Sequence, residues 1–315
     1  MSSKKIENTC SIQITNLTID TLHGRMMTAT NAQSENGREI LLIYGQHASL
    51  ERMQSFAEEL SQYGRVVMPD LPGFGGMESL YKIDREPSLE CMADYLATFI
   101  KLRYKRRRIT IVAVSYGFLV VTRMLQKYPD IAKKIDILVS LAGFAHHEDF
   151  LYSKKTKKRM RIGANVMSGR SISWFIQRFI LNKPFIRTTY WIVRKTHAKM
   201  KDADRKEFLA RTNYEVKLWK MNDFRTRMRS GLSMLYVDLC KVPVNAKQIQ
   251  VYFIAIGNDQ YFDTYKVEQH LNIIYPKVKK LIITLHAHMP TVVASAAEVA
   301  PFIPKKLRKE LAKKP

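Results

Sequence analysis

Residues Ser11 to Thr30 carry apolar side chains at Ile12, Ile14, Leu17 and Ile19 between polar neighbours, which predicts one or two early antiparallel strands. Glu39 to Tyr44 is a short apolar strand. The spacing of Leu50, Met53, Phe56, Ala57 and Leu60 predicts a helix over Ser49 to Tyr63, with Ser49 as its N-cap. Arg65 to Met68 is the next strand, followed by a turn-rich loop, Pro69 to Gly76. Ser88 opens a second amphipathic helix through Leu89, Met92, Tyr95, Leu96 and Phe99. Ile109 to Val114 is a β-branched run, and Phe118 to Met124 is helical in character. Lys134 to Ser140 is a further strand. From Phe150 to about Val244 the periodicity is helical with no clear strand. Strand character returns at Ile249 to Ile256 and Val278 to Leu285, and a helical pattern runs from Thr291 to the end.

Strands alternating with helices predict an α/β fold: a mostly parallel, doubly wound sheet covered on both faces. The helical block follows a strand end, where such sheets carry their active-site loops. The expected division is a core over residues 1–146 and 247–315, interrupted by a helical insertion over residues 147–246.

Composition narrows the class. A 46% hydrophobic fraction over 315 residues supports a full-sized core. Cys10, Cys91 and Cys240 are odd in number and widely spaced, which fits a reducing, cytoplasmic setting and gives no metal-ligand pattern. Lys4 and Lys5 precede no apolar stretch, so no signal peptide is expected. No run reaches the ~18–20 apolar residues of a membrane span. The net charge is +24, and residues 146–245 hold 23 Lys/Arg against 8 Asp/Glu. Such a surface is either simply solvated or a partner for anions: phospholipid headgroups, an acidic substrate or nucleic acid.

The segment Ala113-Val114-Ser115-Tyr116-Gly117 holds the candidate chemistry. A strand, a sharp turn and a helix in that order would expose the Ser115 hydroxyl above the sheet edge and aim the Tyr116 N–H at a developing oxyanion. Small residues flank the serine because the turn leaves little room. A serine nucleophile needs a base and an acid that orients the base. Asp259 follows the Val251–Ile256 run and His288 follows Leu281–Leu285, so the order is Ser, Asp, His, all at strand ends. Asp263 is an alternative acid and His286 an alternative base. Gly45 lets the loop after Tyr44 turn and present the N–H of Gln46 as the second oxyanion donor; His47 beside it is read as a loop or substrate contact, and Cys91 as core.

With these motifs the chain resembles the α/β-hydrolase superfamily, in the branch with a helical cap that holds esterases, lipases and carbon–carbon bond hydrolases. Tyr44-Gly45 stands where members have His-Gly. Asp70-Leu71-Pro72-Gly73-Phe74-Gly75-Gly76 matches the loop after the fourth strand, with Ser79 displaced. Ala113 replaces the first glycine of the elbow, and Gly257–Asp259 and Ala287–Pro290 match the acid and base segments. The resemblance implies Ser115 as nucleophile, His288 as base, Asp259 as acid, and Gln46 and Tyr116 as oxyanion donors. It implies an acyl-ester hydrolase without metal or organic cofactor, and a serine nucleophile disfavours dehalogenase and epoxide hydrolase chemistry. An acyltransferase would use the same triad with another acceptor.

For the insertion the resemblance carries over no substrate class. The insertion's run Ser173 to Leu181 contains Trp174, Phe175, Phe179 and Arg178. It fits either a helix that buries its aromatics above an acyl pocket or one that lies on an anionic membrane. The second case admits a non-catalytic binding protein on a hydrolase scaffold. Basic-aromatic interleaving also fits RNA, but no nucleic-acid motif accompanies it.

Overall fold

The structure is a computed structural model that describes residues 10–34, 37–105, 107–195, 200, 203–284 and 296–313. One sheet contains β1 (Cys10–Ile19), β2 (Leu22–Asn31), β3 (Arg38–Ile43), β4 (Gly64–Pro69), β5 (Ile109–Val114), β6 (Ile135–Leu141), β7 (Gln250–Ile256) and β8 (Val278–Ile283). Their order is β1-β2-β4-β3-β5-β6-β7-β8. β1 and β2 pair antiparallel, as do β2 and β4, and every later pairing is parallel. Every residue of β5 is buried, as a central parallel strand covered on both faces requires. β1 lies at the edge and alternates, with much of its length exposed.

The core helices are α1 (Leu50–Leu60), α2 (Leu89–Arg103), α3 (Tyr116–Lys127) and the short α4 (Pro129–Ala132). Between β6 and β7 stand α5 (Lys154–Met167), α6 (Arg170–Phe175), α7 (Lys183–Ile192), α8 (Arg205–Met221) and α9 (Phe224–Tyr236), with a π-helical turn at Ile176–Ile180. α10 (Thr264–Ile274) precedes β8, and α11 (Ala296–Val299) and α12 (Lys305–Leu311) close the chain.

The strand–helix order agrees with the periodicity. Ser88 caps α2 by accepting from the Cys91 N–H. Ser49 precedes α1 but makes no side-chain cap; its hydroxyl is shared with Tyr214 of α8 at 3.0 Å. The helical pattern that runs from Thr291 is met, among the described residues, by α11, a 3-10 turn and α12 rather than by one unbroken helix. Pro301 and Pro304 lack the N–H groups that would carry it through. Among the described residues no helix is long and apolar enough to cross a membrane.

Candidate active site

Ser115 sits between β5 and α3 with φ 47° and ψ −118°, a conformation non-glycine residues rarely adopt. The turn is held by its neighbours. The Ser115 N–H donates to Leu141 O at 3.0 Å, and its carbonyl accepts from the Phe118 N–H at 2.9 Å. A Cβ at Gly117 would lie 2.4 Å from Tyr44 O and 2.8 Å from Ile43 O, so α3 can start this close to β3 only with glycine there. The Ser115 side chain faces a cavity of about 760 Å³ and makes no hydrogen bond with a described residue.

The loop after β3 abuts this turn. A Cβ at Gly45 would lie 3.2 Å from Ser115 Cβ and 3.8 Å from the Tyr116 nitrogen. The backbone N–H groups of Gln46 and Tyr116 donate to no described residue, so two unbonded amides flank Ser115. The Gln46 side chain is fastened instead: Nε2 donates to Arg227 O at 2.8 Å and to Ser230 Oγ at 2.7 Å. His47 adopts φ 56° and is buried, with Nδ1 3.0 Å from Asn222 Nδ2 and its ring 4.6 Å from Trp219. It is thus a loop contact to the helical block, in line with its reading in the sequence.

Tyr44 supports the strand beneath the loop. Its fully buried hydroxyl donates to Asp70 Oδ1 at 2.9 Å and accepts from the Leu71 N–H at 2.8 Å. Burial pushes the Asp70 carboxyl up to about 7, opposed by Arg25 and the Tyr44 hydroxyl. Arg25 reaches Asp70 Oδ2 at 3.2 Å, Glu51 Oε1 at 2.8 Å and Gly75 O at 2.6 Å. The turn-rich loop after β4 and the loop after β3 are therefore braced by one buried polar cluster.

Asp259 lies beyond β7, and its Oδ1 accepts from the N–H groups of Tyr261 at 2.8 Å and Phe262 at 3.3 Å. Gln260, Tyr261 and Phe262 line the cavity. Asp263 is used otherwise: its carboxylate caps α10 by accepting from Tyr265 and Lys266. His286 and His288 lie outside the described residues. β8 brings the chain to the same sheet edge at Ile283, paired with Ile256 of β7.

The cavity wall is methionine-rich, with Met53 from the core and Met160, Met167, Met228 and Met234 from the helical block. Two groupings had no signal in the pattern. Fully buried Glu215 of α8 accepts from the Tyr190 hydroxyl at 2.9 Å and lies 3.3 Å from His47 Nε2. Fully buried Asp149 holds the chain after β6, taking the N–H groups of Ala145 and His146 on Oδ2 and His270 Nδ1 on Oδ1 at 2.5 Å. Among the described residues, His146, Glu148 and His270 bring ligand-type atoms within 4.8 Å of one another. His146 Nδ1, however, accepts from the Glu148 N–H, so its neutral ring carries the proton on Nε2 and offers no lone pair there.

No protein-family model and no curated protein matches this chain. Solved structures do. A bacterial membrane phospholipase A superposes with a TM-score of 0.65 at 14% identity, over 95% of this chain and 86% of that one. The fold is that of the α/β-hydrolases. A bromoperoxidase from Bacillus anthracis gives 0.64 at 15% identity, over 95% and 98% of the two chains. A thermophilic esterase from Thermogutta terrifontis gives 0.60 at 18% identity, over 96% and 100%. In this α/β-hydrolase fold, Ser115, Gln46 and Asp259 all follow parallel strands at one edge of the sheet.

Proposed function

We propose that the protein is a serine hydrolase that cleaves a carboxylic ester or a related acyl compound. The observation that carries this reading is Ser115, held at positive φ in an apolar cavity and flanked by the unbonded N–H groups of Gln46 and Tyr116. An oxyanion at that point would meet two backbone donors that need no rearrangement, the arrangement acyl transfer requires. Ser115 Oγ attacks the carbonyl carbon and passes its proton to His288, whose imidazole Asp259 orients. The tetrahedral intermediate collapses, the alcohol leaves with the proton from His288, and an acyl-enzyme remains. Water then gives a proton to His288, attacks the acyl carbon and releases the acid. The helical block over residues 147–246 serves as the cap that excludes bulk water from this cavity.

Labelling with a fluorophosphonate, read by intact mass, tests the assignment. Wild type is expected to gain one adduct, and Ser115→Ala none. An unlabelled, folded wild type would overturn it.

The exposed aromatics of the cap favour a second role, docking on an anionic membrane. Trp174 is 62% exposed and Trp191 57%, and Phe175 and Phe179 are also exposed. The alternative of a helix burying these rings on the core does not fit that exposure. Arg178 stands over the Phe179 ring and Arg194 over Trp191, so a cation accompanies an exposed aromatic ring at each place. Aromatic rings at headgroup depth with basic side chains beside them suit anionic phospholipid.

A further inference from the structure

The cavity beside Ser115 is lined by three arginines, Arg52, Arg159 and Arg227, and by no carboxylate among the described residues. Arg227 of α9 is the most unusual of them. Its guanidinium carbon lies 4.0 Å above the Trp219 ring. Its Nε is buried without a hydrogen-bond partner, and no described residue accepts from its other N–H groups. The nearest carboxylate in this cluster, Glu215, is engaged by Tyr190 and His47. Burial pushes the Arg227 guanidinium below its usual range, opposed by Tyr190 and Glu215. A planar fork of donors left unmet in a desolvated site is costly unless a ligand meets it.

The backbone of Arg227 is also tied to the reaction centre. Its carbonyl accepts from Gln46 Nε2, on the loop that abuts Ser115. Arg227 also lines the methionine-rich apolar cavity that Ser115 faces.

We infer that Arg227 is an oxyanion-binding subsite, and that the substrate is an anionic amphiphile: an acyl ester with an apolar chain and a carboxylate or phosphate that pairs with this guanidinium. The inference rests on the hydrolase reading for the site's chemistry, but the subsite itself is a matter of binding. Guanidinium matches both oxyanions through paired N–H···O bonds, whereas the methionines accommodate flexible chains.

The experiment uses the full-length Ser115→Ala protein, which turns nothing over, and titrates dodecyl phosphate, dodecanoate and dodecanol by calorimetry below micelle formation. At least one anion is expected to bind about tenfold or more tightly than the alcohol, and the better anion identifies the headgroup. Arg227→Met added to Ser115→Ala should collapse that ratio towards one, and Arg227→Lys should retain part of it. Thermal melting of each variant shows that it is folded, and Arg227→Lys provides the comparison if Arg227→Met is not. Equal binding of all three probes, or a ratio that survives in folded Arg227→Met, overturns the subsite. Fluorophosphonate labelling of wild type separates the two ideas. An adduct without anion selectivity overturns the subsite alone; anion selectivity without an adduct supports the subsite and overturns the hydrolase assignment.

Discussion

Gln46 Nε2 donates to the carbonyl of Arg227 at 2.8 Å, and this bond fastens the loop beside Ser115 to the last helix of the inserted block. The same amide reaches Ser230 Oγ at 2.7 Å, so one side chain couples α9 to the loop after β3.

Gln46→Ala keeps the backbone N–H but removes both ties. Two neutral, part-buried hydrogen bonds are lost, so stability should fall by about 1–2 kcal/mol. Ester turnover should fall more than ground-state binding does, because the loop is no longer positioned. Urea denaturation together with separate kcat and KM values checks this. An unchanged kcat would show that the tie does not position the loop.

Two glycine substitutions should act in opposite directions. Gly117→Ala forces a methyl group within 2.4 Å of the Tyr44 carbonyl, where two backbone segments must separate. A loss of about 1–3 kcal/mol or more is expected, with loss of fluorophosphonate labelling. Gly163→Ala, inside α5, meets only Met167 Cε at 3.8 Å. It should raise stability by about 0.5–1 kcal/mol, because alanine favours the helix. Thermal melts of the two variants side by side decide the matter.

The two carboxyls on Arg25 should give stability opposite pH dependences. Glu51 is held down to about 2 by the Arg25, Ser49 and backbone hydrogen bonds, although burial pushes it up. Its folded pKa is below the unfolded value, so its contribution is complete above about 4.5 and is lost as pH falls towards 2. Asp70 is raised to about 7 by burial, so the folded state binds its proton more tightly than the unfolded chain does. Its contribution is complete below about 3.8 and fades as pH rises through 7. Glu51→Gln should flatten the acid limb, by about 1 kcal/mol after solvent screening, and Asp70→Asn the limb between pH 4 and 7. Urea midpoints across pH read both; identical profiles in wild type and variants would refute the assignment.

Membrane docking predicts binding to vesicles rich in phosphatidylserine and little binding to phosphatidylcholine alone. Raised salt should weaken it, since exposed charge pairing is screened over about 10 Å at 0.1 M. Trp174→Ser with Trp191→Ser should reduce it about tenfold or more at constant charge, because both rings are exposed. Co-sedimentation is the assay. Equal recovery on both vesicle types would leave the aromatics without this role.

The eight strands, their alternation with helices and the position of Ser115 at a strand end were all legible in the chain, because periods of two and 3.6 are set by neighbours a few residues apart. The breaks at Pro301 and Pro304 were equally local, although the helical pattern around them concealed their effect. Other features depended on the assembled fold. Ser49 precedes a helix as a cap residue would, but Tyr214, 165 positions away, takes its hydroxyl. Arg227 reads as one basic residue among many in the insertion, and only the packing of α9 over the loop after β3 leaves its Nε buried and unmet beside the cavity it lines. Glu215 and Asp149 likewise look like surface carboxylates until the fold buries them against Tyr190 and His270. The sequence by itself determined the sheet and the turn that holds Ser115, since these follow from local backbone preference. The tertiary structure decided which polar groups lost their water and which partners replaced it, because desolvation is set by everything that packs around a group.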